Sequence, residues 1–274
     1  MSKLSLFLRV TVSALFFVAL LNTYIGYTST KNEIMLVEIR GAIQPSTADY
    51  LRRVITTAEL NEAVAILIEL DTPGGMLEST REIVTLFLES EIPIITYVAP
   101  YGARAGSAGT FIVAASHIAA MAPTTNIGAA SPVSADGSDL NTTLKSKATQ
   151  DAAALMRSIS EARNRNGTAL EATIFEAKAY SSEEALEKNI IDKIAHDREE
   201  LLNLINGMVV TTPTGPITID TESSNLQEAK RNWKEKFLDA VGDPNITFIL
   251  LTIGSIGLTI EFVSPGILVG GFVG

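Results

Sequence analysis

The spacing of apolar and polar positions changes repeatedly along the chain, and each change marks an element. Ile34 to Ile39 is a short β-rich apolar run closed by Gly41, and Ser46 to Asn61 has helical spacing with Ser46 or Thr47 as its N-cap. Val64 to Leu70 is apolar apart from Glu69, as expected of a strand buried on both faces, and it ends in Asp71-Thr72-Pro73-Gly74-Gly75. Beyond that loop the pattern predicts a helix over Glu78 to Leu88, a strand over Ile92 to Val98, a helix through Thr110 to Ala115 that begins near Ser107, and a strand over Ile118 to Met121. A Gly/Ser/Asn/Asp-rich stretch runs from Asn126 to Asn141. Helices are expected after it at about Thr149 to Asn164, Ala169 to Ala177 and Ser182 to Asn189. Strands alternating with helices predict an α/β domain over residues 31–210 with a largely parallel, buried sheet. The polar stretch that follows, residues 211–245, reads as a linker, and the chain shows no internal repeat.

Both ends are apolar. Lys3 and Arg9 precede an uncharged run from Val10 to Tyr27, densest from Val10 to Leu21, and Thr28-Ser29-Thr30 closes it. A basic flank, a short apolar centre and a polar exit make residues 1–30 a signal peptide or an uncleaved signal anchor. Positive-inside bias keeps Lys3 and Arg9 cytoplasmic, so the domain is expected on the extracytoplasmic side of a membrane. In residues 246–274 the only charge is Glu261, and Ile246 to Ile260 holds Phe248-Ile249-Leu250-Leu251. This stretch reads as the start of a membrane-embedded region, with Gly254, Gly257 and Ser264-Pro265-Gly266 tolerable within a bundle. An apolar, glycine-rich ending without a polar exit reads as truncated.

Composition narrows the chemistry. With 274 residues and 46% hydrophobic content the chain can bury a full core, and a net charge of -10 without a Lys/Arg cluster argues against a nucleic-acid partner. The absence of cysteine removes thiol nucleophiles, disulfides and thiolate metal sites. His117 and His196 are the only histidines, which excludes a multi-histidine metal centre, and no cofactor is expected.

Candidate chemistry gathers at Gly102 to Phe111, where Ser107 lies between Gly106, Ala108 and Gly109 just ahead of an apolar run. Small neighbours let another backbone approach the hydroxyl and tolerate the sharp strand-to-helix turn that exposes a nucleophile. Alone, such a run more often serves close helix packing. Likewise Pro73-Gly74-Gly75 alone is most simply a turn, yet paired with a serine one strand later its glycines can aim a backbone N–H into an oxyanion hole. His117 falls inside an apolar stretch and reads as core, and His196 lies among acidic residues and reads as surface. A desolvated lysine is the alternative base, with Lys145 and Lys147 as candidates. If both were helical they would point about 200° apart, and the phase of Ala148, Ala152, Leu155 and Ile159 slightly favours Lys145. An ion pair with Asp151, four residues on, is the plainer use of Lys147.

Four segments together carry a family resemblance. Ile68 to Gly75, Ala105 to Phe111, Met121-Ala122-Pro123-Thr124-Thr125-Asn126-Ile127-Gly128-Ala129, and Ser182-Glu183-Glu184-Ala185-Leu186 before Asn189-Ile190-Ile191-Asp192 resemble the protease domain of the NfeD family, in order, across about residues 34–210. These are membrane-bound serine proteases encoded beside stomatin-like proteins and related in fold to ClpP and signal peptide peptidase A. The resemblance implies a ClpP/crotonase-like domain of repeated β-β-α units and a Ser-Lys dyad. It casts Ser107 as nucleophile, Lys147 as base by its register before the helix, and the Gly75 and Ala108 N–H groups as oxyanion donors. Gly74, Asn126, Ile127 and Gly128 would bind substrate, with the loop Asn126 to Ser134 lining the cleft. It further implies cleavage of hydrophobic segments in a stomatin-like partner and self-association of the domain. The family's full-length form continues through membrane helices into a small β-barrel domain. Arg104 adds a charge beside the serine that either repels a protonated lysine or points to solvent.

Three functions compete at this point. They are a membrane-anchored Ser-Lys endopeptidase, a non-catalytic scaffold for a stomatin-like protein, and a crotonase-type acyl-CoA enzyme. The last is disfavoured by export and by the lack of a basic site for CoA phosphates.

Overall fold

The computed structural model describes residues 32–133, 142–242 and 244–263. The expected signal or anchor over residues 1–30, the loop end at Ser134 and the chain beyond residue 263 lie outside them. Six parallel strands form the main sheet: β1 (Glu33–Arg40), β2 (Ala65–Asp71), β3 (Ile94–Val98), β5 (Ile118–Met121), β8 (Lys193–Ile194) and β11 (Asn225–Glu228), in the order β11-β1-β2-β3-β5-β8. Every residue of β3 and β5 is buried, which accounts for their largely apolar sequence; Thr96 is the polar exception, and its hydroxyl bonds that of Ser116.

Alternate side chains feed two cores. Ile66, Ile68 and Leu70 of β2 point to one face, where α1 (Pro45–Leu60), α2 (Leu77–Glu89), α3 (Ala108–Ala115) and α4 (Thr142–Ala162) bring Leu51, Val54, Ile83, Phe87, Ile112 and Met156. Ala65 and Leu67 point to the other, against Leu201 and Ile205 of α7 (Arg198–Ile205). The Arg198–Glu69 pair at 2.8 Å and the Tyr97 hydroxyl donating to the Ala195 carbonyl fasten that second face. Local signals set the helix starts. Pro45 opens α1 behind a Gln44/Thr47 capping box, Asn166 caps α5 (Gly167–Phe175), and Ser181 and Glu184 form a capping box for α6 (Ser182–Glu187).

A second, three-stranded sheet sits beyond the C-terminal ends of the main strands. It contains β4 (Arg104–Gly106), β6 (Asn126–Gly128) and β7 (Ala179–Ser181), with β6 in the middle. Each of β3 and β5 is thus followed by a short strand of this sheet and then a helix, a β-β-α unit used twice. Thr72, just past β2, bridges Ala105 of β4 and joins the two sheets.

Residues 211–245, expected as a linker, are folded instead. They complete the hairpin of β9 (Val209–Thr212) and β10 (Gly215–Thr218), supply β11, and form α8 (Trp233–Gly242) before α9 (Pro244–Val263). All four residues of β11, Asn225-Leu226-Gln227-Glu228, are exposed, so no alternating pattern advertises it. What holds it is backbone pairing with Glu33 to Leu36, which side chains do not encode.

The C-terminal end of α3 is clamped by two arginines that follow α4. Arg163 donates to the Ala115 and Phe87 carbonyls; Arg165, buried, donates to Ala114, Ser116 and Ile190 and pairs with Asp192 at 2.9 Å. Guanidinium groups at the last carbonyls of a helix satisfy orphan acceptors and complement its dipole. His117 lies against this clamp with Nδ1 accepting from the Ile94 N–H, and burial, then the charges of Arg163 and Arg165, lower its pKa from 6.5 to about 3. The unfolded chain takes up this proton near pH 6.5, whereas the native chain resists it to about 3, so His117 costs stability progressively as pH falls through that window. Urea melts of the wild type and His117→Gln should therefore diverge below about pH 6.5, the wild type losing up to about 1.4 kcal/mol more per pH unit. Parallel curves would show that the histidine is not held neutral.

Candidate active site

Ser107 occupies the junction of β4 and α3. Its φ of 48° and ψ of -110° are close to the first central position of a type II′ turn, a place suited to glycine. Strain of order 1–3 kcal/mol at a non-glycine residue persists only where surrounding bonds enforce it. They do so here. The Ser107 N–H donates to the Gly128 carbonyl at 2.9 Å, and the Thr110 hydroxyl, buried, reaches the carbonyls of Ala105 and Gly128. Gly128 has φ +131°, and a Cβ there would lie 2.3 Å from the Lys178 carbonyl oxygen, so only glycine lets β6 present this acceptor.

The second wall is the loop 72–76. Ile43 N–H donates to the Gly74 carbonyl at 2.8 Å, and Met76 N–H donates to the Ile43 carbonyl at 2.9 Å, so Gly75 is bridged in parallel to Ile43. A Cβ on Gly75 would fall 2.1 Å from the Ile43 oxygen. On the other edge, Thr72 N–H donates to Arg104 and Gly106 N–H to Thr72, while the Thr72 hydroxyl bonds both the N–H and the carbonyl of Gly74. Gly74, at φ +130°, sits so close to Ser107 that a Cβ would approach the serine Cβ to 2.7 Å. Ladder geometry leaves the Gly75 N–H on the side of its strand away from Ile43. The Ala108 N–H is the first of α3 and has no intrahelical acceptor. Gly75 follows Gly74, which packs against Ser107, and Ala108 follows Ser107 directly.

The remaining candidates fall as follows. Ser107 is half-buried, Asn126 exposed, and Ile127 and Gly128 buried. The β6 backbone pairs with β4 on one edge and β7 on the other, so it has no free edge to accept a further strand. Lys145 and Lys147 both lie in the first turns of α4, and both are exposed. No hydrogen bond joins Lys147 to Ser107 in this conformation. Nor does Lys147 pair with Asp151, whose carboxylate is held by Arg81 of α2. Arg104 is exposed to solvent, and its backbone N–H donates to the Asp71 carboxylate. His196 is exposed and bonds the Tyr101 hydroxyl. Thr72, Ile43 and Thr110 were not singled out by sequence reasoning. Thr72 stood inside the quoted motif, but nothing in the sequence links Ile43 to Gly75. Among the described residues no three His, Asp or Glu side chains converge as a metal would require.

Residues 33–208 match the family described as NfeD1b, N-terminal domain. The chain belongs to this family. Over 239 residues it is 36% identical to the membrane-bound protease PH1510 of Pyrococcus horikoshii, an overlap of 86% of this chain and 54% of that protein. It is 27% identical over 266 residues to the membrane protein NfeD1b of Bacillus subtilis, 97% of this chain and 59% of that protein. The NfeD1b-family chain thus spans little more than half the length of these curated relatives. Among solved structures it resembles 1510-N, a membrane-bound stomatin-specific protease, in a lysine-to-alanine mutant complexed with a substrate peptide. That match has a TM-score of 0.70 at 36% identity and covers 77% of this chain and 98% of the other. It also resembles 1510-N described as specific for a stomatin homolog from Pyrococcus horikoshii, with a TM-score of 0.66 at 34% identity over 77% and 99% of the two chains. The expected NfeD resemblance and the parallel α/β fold are thereby confirmed.

The backbone at residue 107 generates a stability prediction. Ser107→Gly removes the strain and Ser107→Ala retains it, so the glycine variant should be more stable than the alanine variant by about 1 kcal/mol after the extra unfolded-state entropy of glycine is counted. Chemical denaturation of the two variants checks this, and an alanine variant equal to or above the glycine one would contradict the strained conformation.

Proposed function

We propose that this NfeD1b-family chain is a membrane-anchored serine endopeptidase, with Ser107 as nucleophile and Lys147 as general base. The observation that carries the reading is the strained, half-buried Ser107 at the start of α3, followed by Ala108 and packed against Gly74, the residue before Gly75. In this scheme the Ser107 Oγ attacks a peptide carbonyl and passes its proton to the Lys147 amine. The oxyanion is held by Gly75 and Ala108, the proton goes to the leaving amine, and water then releases the acyl group. A lysine acts as a base only when desolvation favours its neutral form. The reading therefore requires bound substrate, or a neighbouring copy of the chain, to cover the first turns of α4 and bring Lys147 to the serine. Gly74 and β6, with Asn126 at its exposed end, form the wall along which substrate would lie. The reading takes a stomatin-like membrane protein as partner, which the names of the similar proteases support, and adds cleavage in its hydrophobic segments and a catalytic domain on the extracytoplasmic side.

A non-catalytic scaffold for such a partner is the second reading. It is favoured by the exposure of Lys147 and the missing hydrogen bond to Ser107.

Cleavage of a hydrophobic peptide panel by the full chain in detergent separates the two. Ser107→Ala and Lys147→Ala should each lower kcat by on the order of 10³-fold or more, while Lys145→Ala stays near wild type. Loss with Lys145→Ala in place of Lys147→Ala would keep the peptidase and transfer the base. A folded wild type that cuts nothing would favour the scaffold.

A further inference from the structure

Helix α8 is two-faced in an unusual way. Its acidic residues, Glu235 and Asp239, both turn toward the domain. Glu235 is buried and pairs with Arg53 of α1 at 2.6 Å; Asp239 accepts from Ser46 at 2.5 Å and is paired with Arg231. Gln44 completes the attachment by donating its side-chain N–H to the Gly242 carbonyl at 3.1 Å. The opposite face carries Trp233, Phe237 and Val241, spaced four residues apart. Trp233 is 73% and Phe237 61% exposed. At 100° per residue, Lys234 and Lys236 flank this stripe on either side, and the Lys234 ammonium lies 5.8 Å from the Trp233 ring centre. Thus every charge on the outward side of α8 is positive and every acid is turned inward, in a chain whose net charge is -10.

The stripe continues into α9, which is largely apolar, with Glu261 its one charge, and exposed along most of its length, including Phe248, Leu251, Ile256 and Phe262. In water such a helix would present an untenable apolar surface. Among the described residues no single helix is long and apolar enough to cross a membrane, whereas α8 and α9 qualify as a pair bent by 77°. If α9 enters a bilayer along the normal, a bend of that size lays α8 nearly flat on the surface.

We propose that α8 lies in the plane of a lipid bilayer surface, with Trp233, Phe237 and Val241 immersed at the boundary of headgroups and acyl chains and Lys234 and Lys236 among the lipid phosphates. An aromatic and aliphatic face flanked by lysines is the composition of an interfacial helix. The ion pairs of Glu235 and Asp239 then fix the whole domain at one height and tilt above the bilayer. Gln44, the residue that holds the end of α8, directly precedes α1 and follows Ile43, the bridge partner of Gly75. The candidate cleft is therefore tied to the membrane surface through two consecutive residues. Its consequence for substrate choice, a preference for juxtamembrane segments, rests on the peptidase reading; the position of α8 does not.

Trp233 is the only tryptophan in the chain, which makes its fluorescence a report on α8 alone. The full chain is reconstituted into phosphatidylcholine vesicles containing lipids brominated either about 5–10 Å below the headgroups or near the bilayer centre. The proposal requires strong quenching of Trp233 by the shallow bromines, weaker quenching by the deep ones and protection from aqueous acrylamide. Phe237→Glu should reverse the pattern by restoring acrylamide access and reducing bromine quenching. Trp233 open to acrylamide and untouched by either bromolipid would overturn it. Protection from acrylamide without lipid quenching would also overturn it and assign the stripe to a second copy or another protein. Dominant deep quenching would place α8 inside the bilayer, not at its surface. None of these readings depends on peptide cleavage.

Discussion

The backbone of residues 72–76 is hydrogen-bonded on both edges, to Ile43 on one side and to Arg104 and Gly106 on the other, and the candidate site depends on that double attachment. A chain segment so held cannot relax when its neighbour is strained. Gly74 can then press against Ser107, and Gly75 can approach the Ile43 backbone to a distance that admits no Cβ. The left-handed conformation of Ser107 is the result of packing from this loop and from the Gly128 carbonyl together. The N–H of the serine is spent on that carbonyl and is not available to another acceptor.

The far end of α3 bears on the same point. A side chain at a helix N-terminus is positioned only as well as the helix is, and the two-turn α3 is too short to be stable alone. Its apolar residues are buried throughout, and Arg163 and Arg165 take up its last carbonyls. The cost of desolvating these guanidinium groups shows in Arg163, whose pKa is lowered to about 10 chiefly by burial. Fixing one end of the helix by charge and the other by glycine packing leaves Ser107 little freedom to drift.

Legibility in the sequence followed element length and the range of the interactions. The long apolar strands β2 and β3 and the helices α1 and α2 were visible because burial imposes a period on seven or more residues, or a continuous run when both faces are covered. Strands β4, β6 and β7 were not, since three residues cannot establish a period. The crowding of small residues around Ser107 and Gly74-Gly75 was readable as chemistry, because close backbone approach excludes larger side chains. The Ile43 bridge was not, because its bonds are made by the main chain. Asp151 shows the same limit from another side: the neighbour four residues away loses to Arg81, seventy positions distant in sequence, and a helical ion pair worth a few tenths of a kcal/mol cannot compete with tertiary placement.

Strand β11 closes the open side of β1 with a segment nearly two hundred residues further along the chain. The region matched to the family stops at residue 208, short of it. A fragment cut there would lose Val210 and Ile219 from one core and Ala229 from the other, and would present the N–H and C=O groups of Glu33 to Leu36 as a bare parallel edge, the kind of surface that recruits a strand from another molecule. Four solvent-exposed residues, three of them polar, thus act as the domain's guard against self-adhesion, and a soluble fragment of this protein needs to run past Glu228 to include them.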